Sequence, residues 1–295
     1  MNPKCRLCHS TNNDFLFYSF NTHGRHLVSK KQKFSIYRCR SCDCIFLASI
    51  KTDTNYFKKS YDKNYYVDSQ KPKAIDKIWS IIAKLLVNTK ISFLEKLVKH
   101  RSKIKILDIG CGNGDFLSKL PDKTFSKSGV EINRDGIDRC RRKGIRVYEK
   151  SLEKIDFGST KFDLITMWHV FEHLDKPIAN LKKIRQILSK NGILVIQVPN
   201  SRSLGFTIGK QNWFHLDSPR HLLIPSKESM EKVLQKTGFR LTKIKNHYFD
   251  YPLDLFWSIR SSKLKYLIYP IYPIIKILSQ EHLTYIATQS KYGKS

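Results

Sequence analysis

The 295-residue chain predicts an α/β fold, a seven-stranded and mostly parallel sheet covered by helices, with a small cysteine-bearing module in front of it. Two observations predict this. From Ile104 onward, short apolar runs rich in β-branched residues alternate with helical stretches, which is the pattern of parallel strands joined by helical crossovers. The first of these runs, Ile104, Ile106, Leu107 and Ile109, stops at Gly110, Gly112 and Gly114 before apolar residues resume at Phe116 and Leu117. That is a strand, a tight turn and a helix start.

The elements follow in order. Residues 1–50 hold two CxxC pairs, Cys5 with Cys8 and Cys39 with Cys42, around strand-like pieces at Phe15–Phe20 and Phe34–Arg38. The piece has too few apolar residues for a core of its own. Four thiolates on one structural Zn2+ would supply the missing stability, as in a zinc-ribbon-like module. His9 and Cys44 adjoin the proposed ligands as substitutes for one of them. Residues 51–100 read as an aromatic linker, with Tyr56, Phe57, Tyr61, Tyr65 and Tyr66, followed by an amphipathic helical stretch over 74–98. Its lysines at 77, 84, 90 and 96 are expected on a solvated face.

Residues 101–295 form the main domain. After the glycine turn the pattern predicts a strand at Lys127–Ile132, a helix at Asp135–Lys143 and a strand at Ile145–Tyr148. A strand at Phe162–Trp168 follows, then a helix from Pro177 to Ser189 closed by Asn191 and Gly192, and a strand at Ile193–Val198. Ser226 is expected to cap a helix ending at Gly238, with strands at Phe239–Asn246 and Leu283–Thr288, the last pair antiparallel. Between those two strands lies an apolar insertion at 251–279. Its uncharged run Tyr266–Ile275 is too short for a bilayer span of about 20 residues. A lid, a dimer contact or an element lying on a membrane surface each explains its apolarity.

Composition narrows the partners. Hydrophobic residues at 41% suit a globular protein, and a net charge of +29 favours anionic partners such as nucleic acid, phosphorylated substrates or acidic lipid. An ordinary lysine-coated surface explains the charge equally well. The start, MNPKCRLCHS, lacks the apolar core of a secretory signal, so a cytoplasmic location with reduced cysteines is expected, where the CxxC pattern reads as a metal site rather than disulfides.

Glycines let the backbone take positive φ and let a ligand touch the main chain. Here the spacing is GxGxG with Asp108 and Asp115 on either side, and two carboxylates suit a cationic ligand better than a pyrophosphate. The segment ILDIGCGNGDFL resembles motif I of the class I S-adenosylmethionine-dependent methyltransferases, and FDLITMWHVFEHLDKP and GILVIQVPN are similar to the later strands of that family. The resemblance implies a Rossmann-like domain and a cofactor site of Asp108, Gly110, Cys111, Gly112, Gly114, Glu131, Ile132, Leu152, Trp168 and His169. In it Glu131 would bind the ribose hydroxyls and Leu152 would pack on the adenine. WFHLDSPRHL, residues 213–222, falls where the family places substrate-facing structure. His221 and His169 are the candidate general bases, because imidazole titrates near cellular pH. Asp217 and Arg220 read either as part of that site or as an ion pair that fixes a loop.

The implied reaction is an in-line methyl transfer to a small-molecule or glycan acceptor, such as a nucleotide- or lipid-linked sugar, as in enzymes of bacterial surface-polysaccharide pathways. Two alternatives are an RNA methyltransferase, favoured by charge but lacking an NPPY-type motif, and a zinc-dependent nucleic-acid-binding module with an inactive methyltransferase fold. Peripheral membrane contact through 251–279 is a further expectation.

Overall fold

The computed structural model describes residues 2–20, 32–48, 87–99, 101, 103–246, 251 and 253–290. The aromatic linker and the first half of the helical stretch at 74–98 lie outside the described residues; its second half is helical over 87–97.

The main sheet has seven strands in the order β10-β11-β8-β7-β4-β5-β6. These are β4 (Ile104–Ile109), β5 (Phe125–Val130), β6 (Arg146–Tyr148), β7 (Phe162–Trp168), β8 (Leu188–Pro199), β10 (Phe239–Asn246) and β11 (His282–Gln289). Strands β4 to β8 pair in parallel, and β11 runs antiparallel to both β8 and β10. Successive side chains of β4 point to opposite faces, so Ile104 and Ile106 join one buried cluster while Leu107 and Ile109 join another. Both faces are covered, which is why the strand reads as a nearly continuous apolar run. The chain leaves β4 toward β5 and β6, then returns to β7 on the other side. The carboxyl ends of β4 and β7 therefore flank the switch point where open α/β sheets bind ligands.

Two boundaries differ from the sequence pattern. The second strand of the domain is Phe125–Val130, so Glu131 stands just past its end. The helix Pro177–Ile187 is not closed by Asn191 and Gly192, which lie inside β8. Its final carbonyls are met instead by the Gln289 side chain, whose Nε2 donates to Leu188 O at 2.8 Å and Arg185 O at 3.2 Å. A side chain a hundred residues away does the work of a local glycine cap, and no local pattern carries that information.

The N-terminal module forms a second sheet, β1 (Asn13–Phe20), β2 (Lys33–Cys39), β3 (Ile45–Leu47) and β9 (Leu223–Ile224), in that order. The last strand comes from the main domain, so the module does not end at residue 50: Ile45 pairs with Ile224 and Phe46 with Leu223. Phe34, Ile36, Ile45 and Leu47 pack on Phe206, Trp213, Leu216 and Ile224 in one buried cluster. The apolar residues missing from the first fifty are supplied by 206–224. Ser229, in the helix Lys227–Lys236, donates to Cys42 O at 2.7 Å and fastens the module from another side. Within the insertion, Asp254–Ile259, Lys265–Ile268 and Tyr272–Leu278 are helical, with a 3₁₀ turn at Tyr269–Ile271. Among the described residues no helix is long and apolar enough to cross a membrane.

Candidate functional site

The glycine turn closes over the ends of β4 and β5. Gly110, Gly112 and Gly114 all have left-handed φ, +72°, +55° and +71°. At Gly110 a Cβ would also lie 2.5 Å from Val170 Cγ2, so the turn packs directly on the residue after His169. Glu131 is buried and binds the turn to the end of β5. Its Oε2 accepts from the Gly112 amide at 2.8 Å, and its Oε1 accepts from the amides of Ile132 and Asn133 at 2.8 Å each. A carboxylate has roughly four lone-pair sites, so the amides leave room for about one ribose hydroxyl, fewer than the two expected from sequence. Ile132 is exposed at the rim beside it.

Three of the predicted cofactor residues turn inward. The Cys111 side chain is buried with Sγ 3.8 Å from Cys140 Sγ, and a Cβ on Gly129 would meet it at 2.3 Å. Only the Cys111 backbone faces the turn. Leu152, expected to pack on the adenine, is buried in the main cluster. Asp108 is buried and accepts from Thr166 Oγ1 at 2.6 Å. Burial pushes its carboxyl up to about 7 against the pull of Thr166 and Lys90. The second flanking acid is not at the site, because Asp115 Oδ1 is 2.5 Å from Lys143 Nζ on the outer surface.

Lys90 was expected in solvent. Instead its Nζ lies 4.8 Å from the centre of the Trp168 ring, a cation–π contact at the mouth of the turn. Trp168 also meets Phe116 edge-on at 5.7 Å, and its buried Nε1 has no hydrogen-bond partner among the described residues. Helical periodicity marks Lys90 only as polar, and nothing local ties it to a residue 78 positions away.

Beyond Trp168 the ionisable residues converge on Glu172, whose carboxylate is fully buried. His169 has φ +56°, an unusual conformation for a residue with a side chain, and it turns Nδ1 to 3.3 Å from Glu172 Oε1. His221 Nε2 lies 4.0 Å from the same oxygen and 3.8 Å from Asp217 Oδ2. Its Nδ1 is 2.7 Å from His215 O, so Nδ1 carries the proton and donates to that carbonyl. His173 stacks edge-on against His221 at 4.7 Å. Burial alone would raise Glu172, but the hydrogen bond from His169 and the nearby His169, His173 and His221 bring it down to about 2. Burial, followed by His173, holds His221 down to about 4. Asp217 and Arg220 form an ion pair at 2.6 Å, the loop-fixing arrangement.

A second buried network adjoins this one and was not visible in the sequence. Asp254 Oδ2 accepts from His215 Nε2 at 2.9 Å and His282 Nε2 at 3.0 Å, while Oδ1 pairs with Lys276 Nζ at 2.5 Å. His169 lies edge-on to His282 at 5.0 Å and to Tyr251 at 5.4 Å. The insertion is thereby joined to the histidines at the end of β7. Its charged anchor points come from 215, 254, 276 and 282, and no sequence spacing links them.

The four cysteines of the two CxxC pairs come together. Cys5 and Cys42 Sγ are 3.7 Å apart, Cys8 and Cys39 Sγ 3.5 Å, and all four lie within 4.8 Å of one another. Four Zn–S bonds of about 2.3 Å set tetrahedral edges of about 3.8 Å, so the donor set fits that ion. The Leu7 amide donates to Cys5 Sγ at 3.4 Å, which orients a ligand from behind. The Cys42 thiol beside it, outweighing burial, holds Cys5 down to about 5. Cys44 is excluded from the group, its thiol directed to the carbonyls of Ile45 and Ile224.

Comparison with known proteins fits this geometry. The methyltransferase-domain family model matches residues 82–244, more than half of the chain, and the chain belongs to that family. It is a methyltransferase. The ubiquinone biosynthesis O-methyltransferase of Rickettsia canadensis is 20% identical over 172 residues, covering 53% of this chain and 72% of that one. The tRNA U34 carboxymethyltransferase of Campylobacter jejuni is 24% identical over 161 residues, covering 51% and 54%. Among solved structures, magnesium protoporphyrin IX methyltransferase from Synechocystis, determined with bound SAH, shares the fold with a TM-score of 0.55 at 14% identity. That match covers 81% of this chain and 100% of the other.

Proposed function

We propose that the enzyme methylates a hydroxyl or acidic carbon of a small molecule or glycan, such as a nucleotide- or lipid-linked sugar, with His169 as general base. One observation carries this reading. His169 Nδ1 faces the Glu172 carboxylate at 3.3 Å, while its buried Nε2 has no hydrogen-bond partner among the described residues. A carboxylate facing Nδ1 favours the tautomer with the proton on that nitrogen, which leaves Nε2 as the lone pair that accepts a proton from the acceptor. His221 serves better as a positioning residue, since its proton is committed to the His215 carbonyl and its basicity is lowered.

S-adenosylmethionine, when bound, supplies an electrophilic methyl group on a sulfonium. The residues proposed to hold it are the Gly110–Gly114 backbone, Glu131 for the ribose, Ile132 at the adenine rim, and Asp108 with Trp168 beside the charged end. In-line transfer needs nucleophile, methyl and sulfur aligned, and such positioning is worth on the order of 7–11 kcal/mol. The Leu222 amide donates to Glu172 O at 2.9 Å, which ties the 213–224 stretch to the turn that carries Glu172. We further propose that Cys5, Cys8, Cys39 and Cys42 hold one structural zinc.

The test is transfer of labelled methyl from S-adenosylmethionine to sugar nucleotides, lipid-linked sugars and RNA in parallel. Label in a sugar fraction supports the reading. Label only in RNA, with steep salt dependence, would establish the alternative that the charge of +29 and the tRNA-modifying relative favour.

A further inference from the structure

The insertion has two unlike faces. Its inner face is riveted to the domain: Leu255 and Ile259 are fully buried, Ser258 Oγ accepts from the Phe214 amide at 3.0 Å, and Asp254 holds Lys276, His215 and His282. A Cβ on Gly209 would meet Ser258 O at 2.7 Å, so the first helix of the insertion lies against the helix Leu204–Gly209 at backbone contact. The outer face is apolar and open to solvent. Tyr266 is 73% exposed, Leu267 71%, Leu278 67% and Ile274 61%, beside exposed Trp257 and Ile271. Exposure of that extent on side chains of this size is not the unburied edge of a core. It is a set of large apolar groups, all within residues 257–278, offered to something else.

Charge decides what that is. From Leu255 to Gln280 there is no acidic residue, and Arg260, Lys263 and Lys265 cluster on the turn between the first two helices. Arg260 lies over the Trp257 ring at 5.6 Å and Lys265 over the Tyr266 ring at 5.1 Å, which places cations beside amphipathic aromatics. A two-fold contact that paired this segment with itself would bring the three cations together, with no acid in the segment to pair them. A layer of anionic lipid headgroups pairs them all while its acyl boundary receives the apolar side chains.

We propose that residues 253–278 dock the enzyme onto an anionic membrane surface, lying in the interface with Leu267, Ile274 and Leu278 inserted and Arg260, Lys263 and Lys265 at the phosphates. The helices are too short to span, and such elements bury their apolar face only about 5–10 Å deep. Binding combines two contributions, the apolar area removed from water and the attraction of lysines and arginines to the headgroups, the second of which salt screens. The proposal does not depend on which acceptor the enzyme takes. Its consequence is spatial: the anchored end of the insertion bonds to His215 and His282, so the docked face is one packed layer from the histidines beyond β7.

The test is co-sedimentation of the full chain with vesicles of phosphatidylcholine alone and of phosphatidylcholine with phosphatidylglycerol, at low and high salt. The expected result is binding only to the anionic vesicles, weakened by salt, and weakened at least about tenfold in the double variant Leu267→Glu, Ile274→Glu, as the loss of two inserted side chains requires. Both positions are exposed and outside the site, so the variant should bind S-adenosylmethionine as the parent does. If the variant does not fold, quenching of tryptophan fluorescence in the parent by brominated anionic lipid decides alone, with Trp257 at the interface. No binding to anionic vesicles, equal binding by the folded double variant, or a homodimer in sedimentation velocity that the variant dissolves without vesicle binding would overturn the proposal.

Discussion

At the scale of single residues, the ordinary roles of Asp108, His169 and His221 are set by how deeply each is buried and by what it faces. Asp108 keeps its proton to about pH 7 in the folded chain, whereas an unperturbed aspartate releases it near 3.8. The folded state therefore binds more protons between those values, and its stability falls as pH rises from 3.8 through about 7. Asp108→Asn removes that loss, so without cofactor the variant's melting temperature should gain on the parent's as pH rises across the window, as measured by calorimetry. A cation at the site favours the ionised form, so the parent's affinity for S-adenosylmethionine should strengthen over the same range and the variant's should not. For the bases, His169→Gln should lower kcat by about 10²–10⁴-fold with cofactor affinity unchanged in equilibrium titration. His221→Gln should lower it less, because its imidazole acts through Glu172 and the His215 carbonyl. Equal losses in the two variants would remove the distinction drawn between them.

At the scale of elements, the decisive pairing is β3 with β9, because it makes the N-terminal sheet depend on the main domain. Trp213, among the largest fully buried side chains, is donated from the 213–222 stretch to that shared core and donates Nε1–H to Glu281 Oε2 at 2.8 Å. Trp213→Ala should cost about 3–5 kcal/mol in denaturant unfolding and loosen both sheets together. The same elements show what a sequence makes legible. Strands β4, β7 and β10 and the Ser226-capped helix are readable because their signals are local: β-branched runs, glycine turns, and a capping serine whose Oγ accepts from the Ser229 amide. The glycine turn, Glu131 and the CxxC pairs are readable for the same reason. The β9 strand of two residues, the Gln289 cap of a distant helix, the Lys90–Trp168 contact and the Asp254 network are not, since each is a meeting of residues far apart in the chain that no period or spacing announces. Asp115 misled for a related reason: it is adjacent to the turn in sequence, but the first residue of a helix points its side chain away, toward Lys143.

At the scale of the whole molecule, one methyltransferase domain carries two attachments on the side where the strands β4 and β7 end: a cysteine-bound sheet that borrows a strand, and an apolar insertion that shares buried charges with the site. If the four cysteines hold a structural zinc, a chelator should lower the melting temperature of the full chain and release close to one zinc per chain, read by a colorimetric dye, and Cys39→Ser should do the same without chelator. Because β3 pairs with β9, the loss should also reach methyl transfer. The account as a whole stands on the glycine turn and Glu131 being the cofactor cradle, and isothermal titration of S-adenosylmethionine into the parent and Gly110→Val tests that most directly. The parent should bind one equivalent, and a Gly110→Val chain that folds should bind none, because its side chain would enter the turn against Val170; where the variant does not fold, binding by the parent decides. A folded parent that takes up no S-adenosylmethionine, or a folded Gly110→Val that binds it as tightly as the parent, would contradict the account.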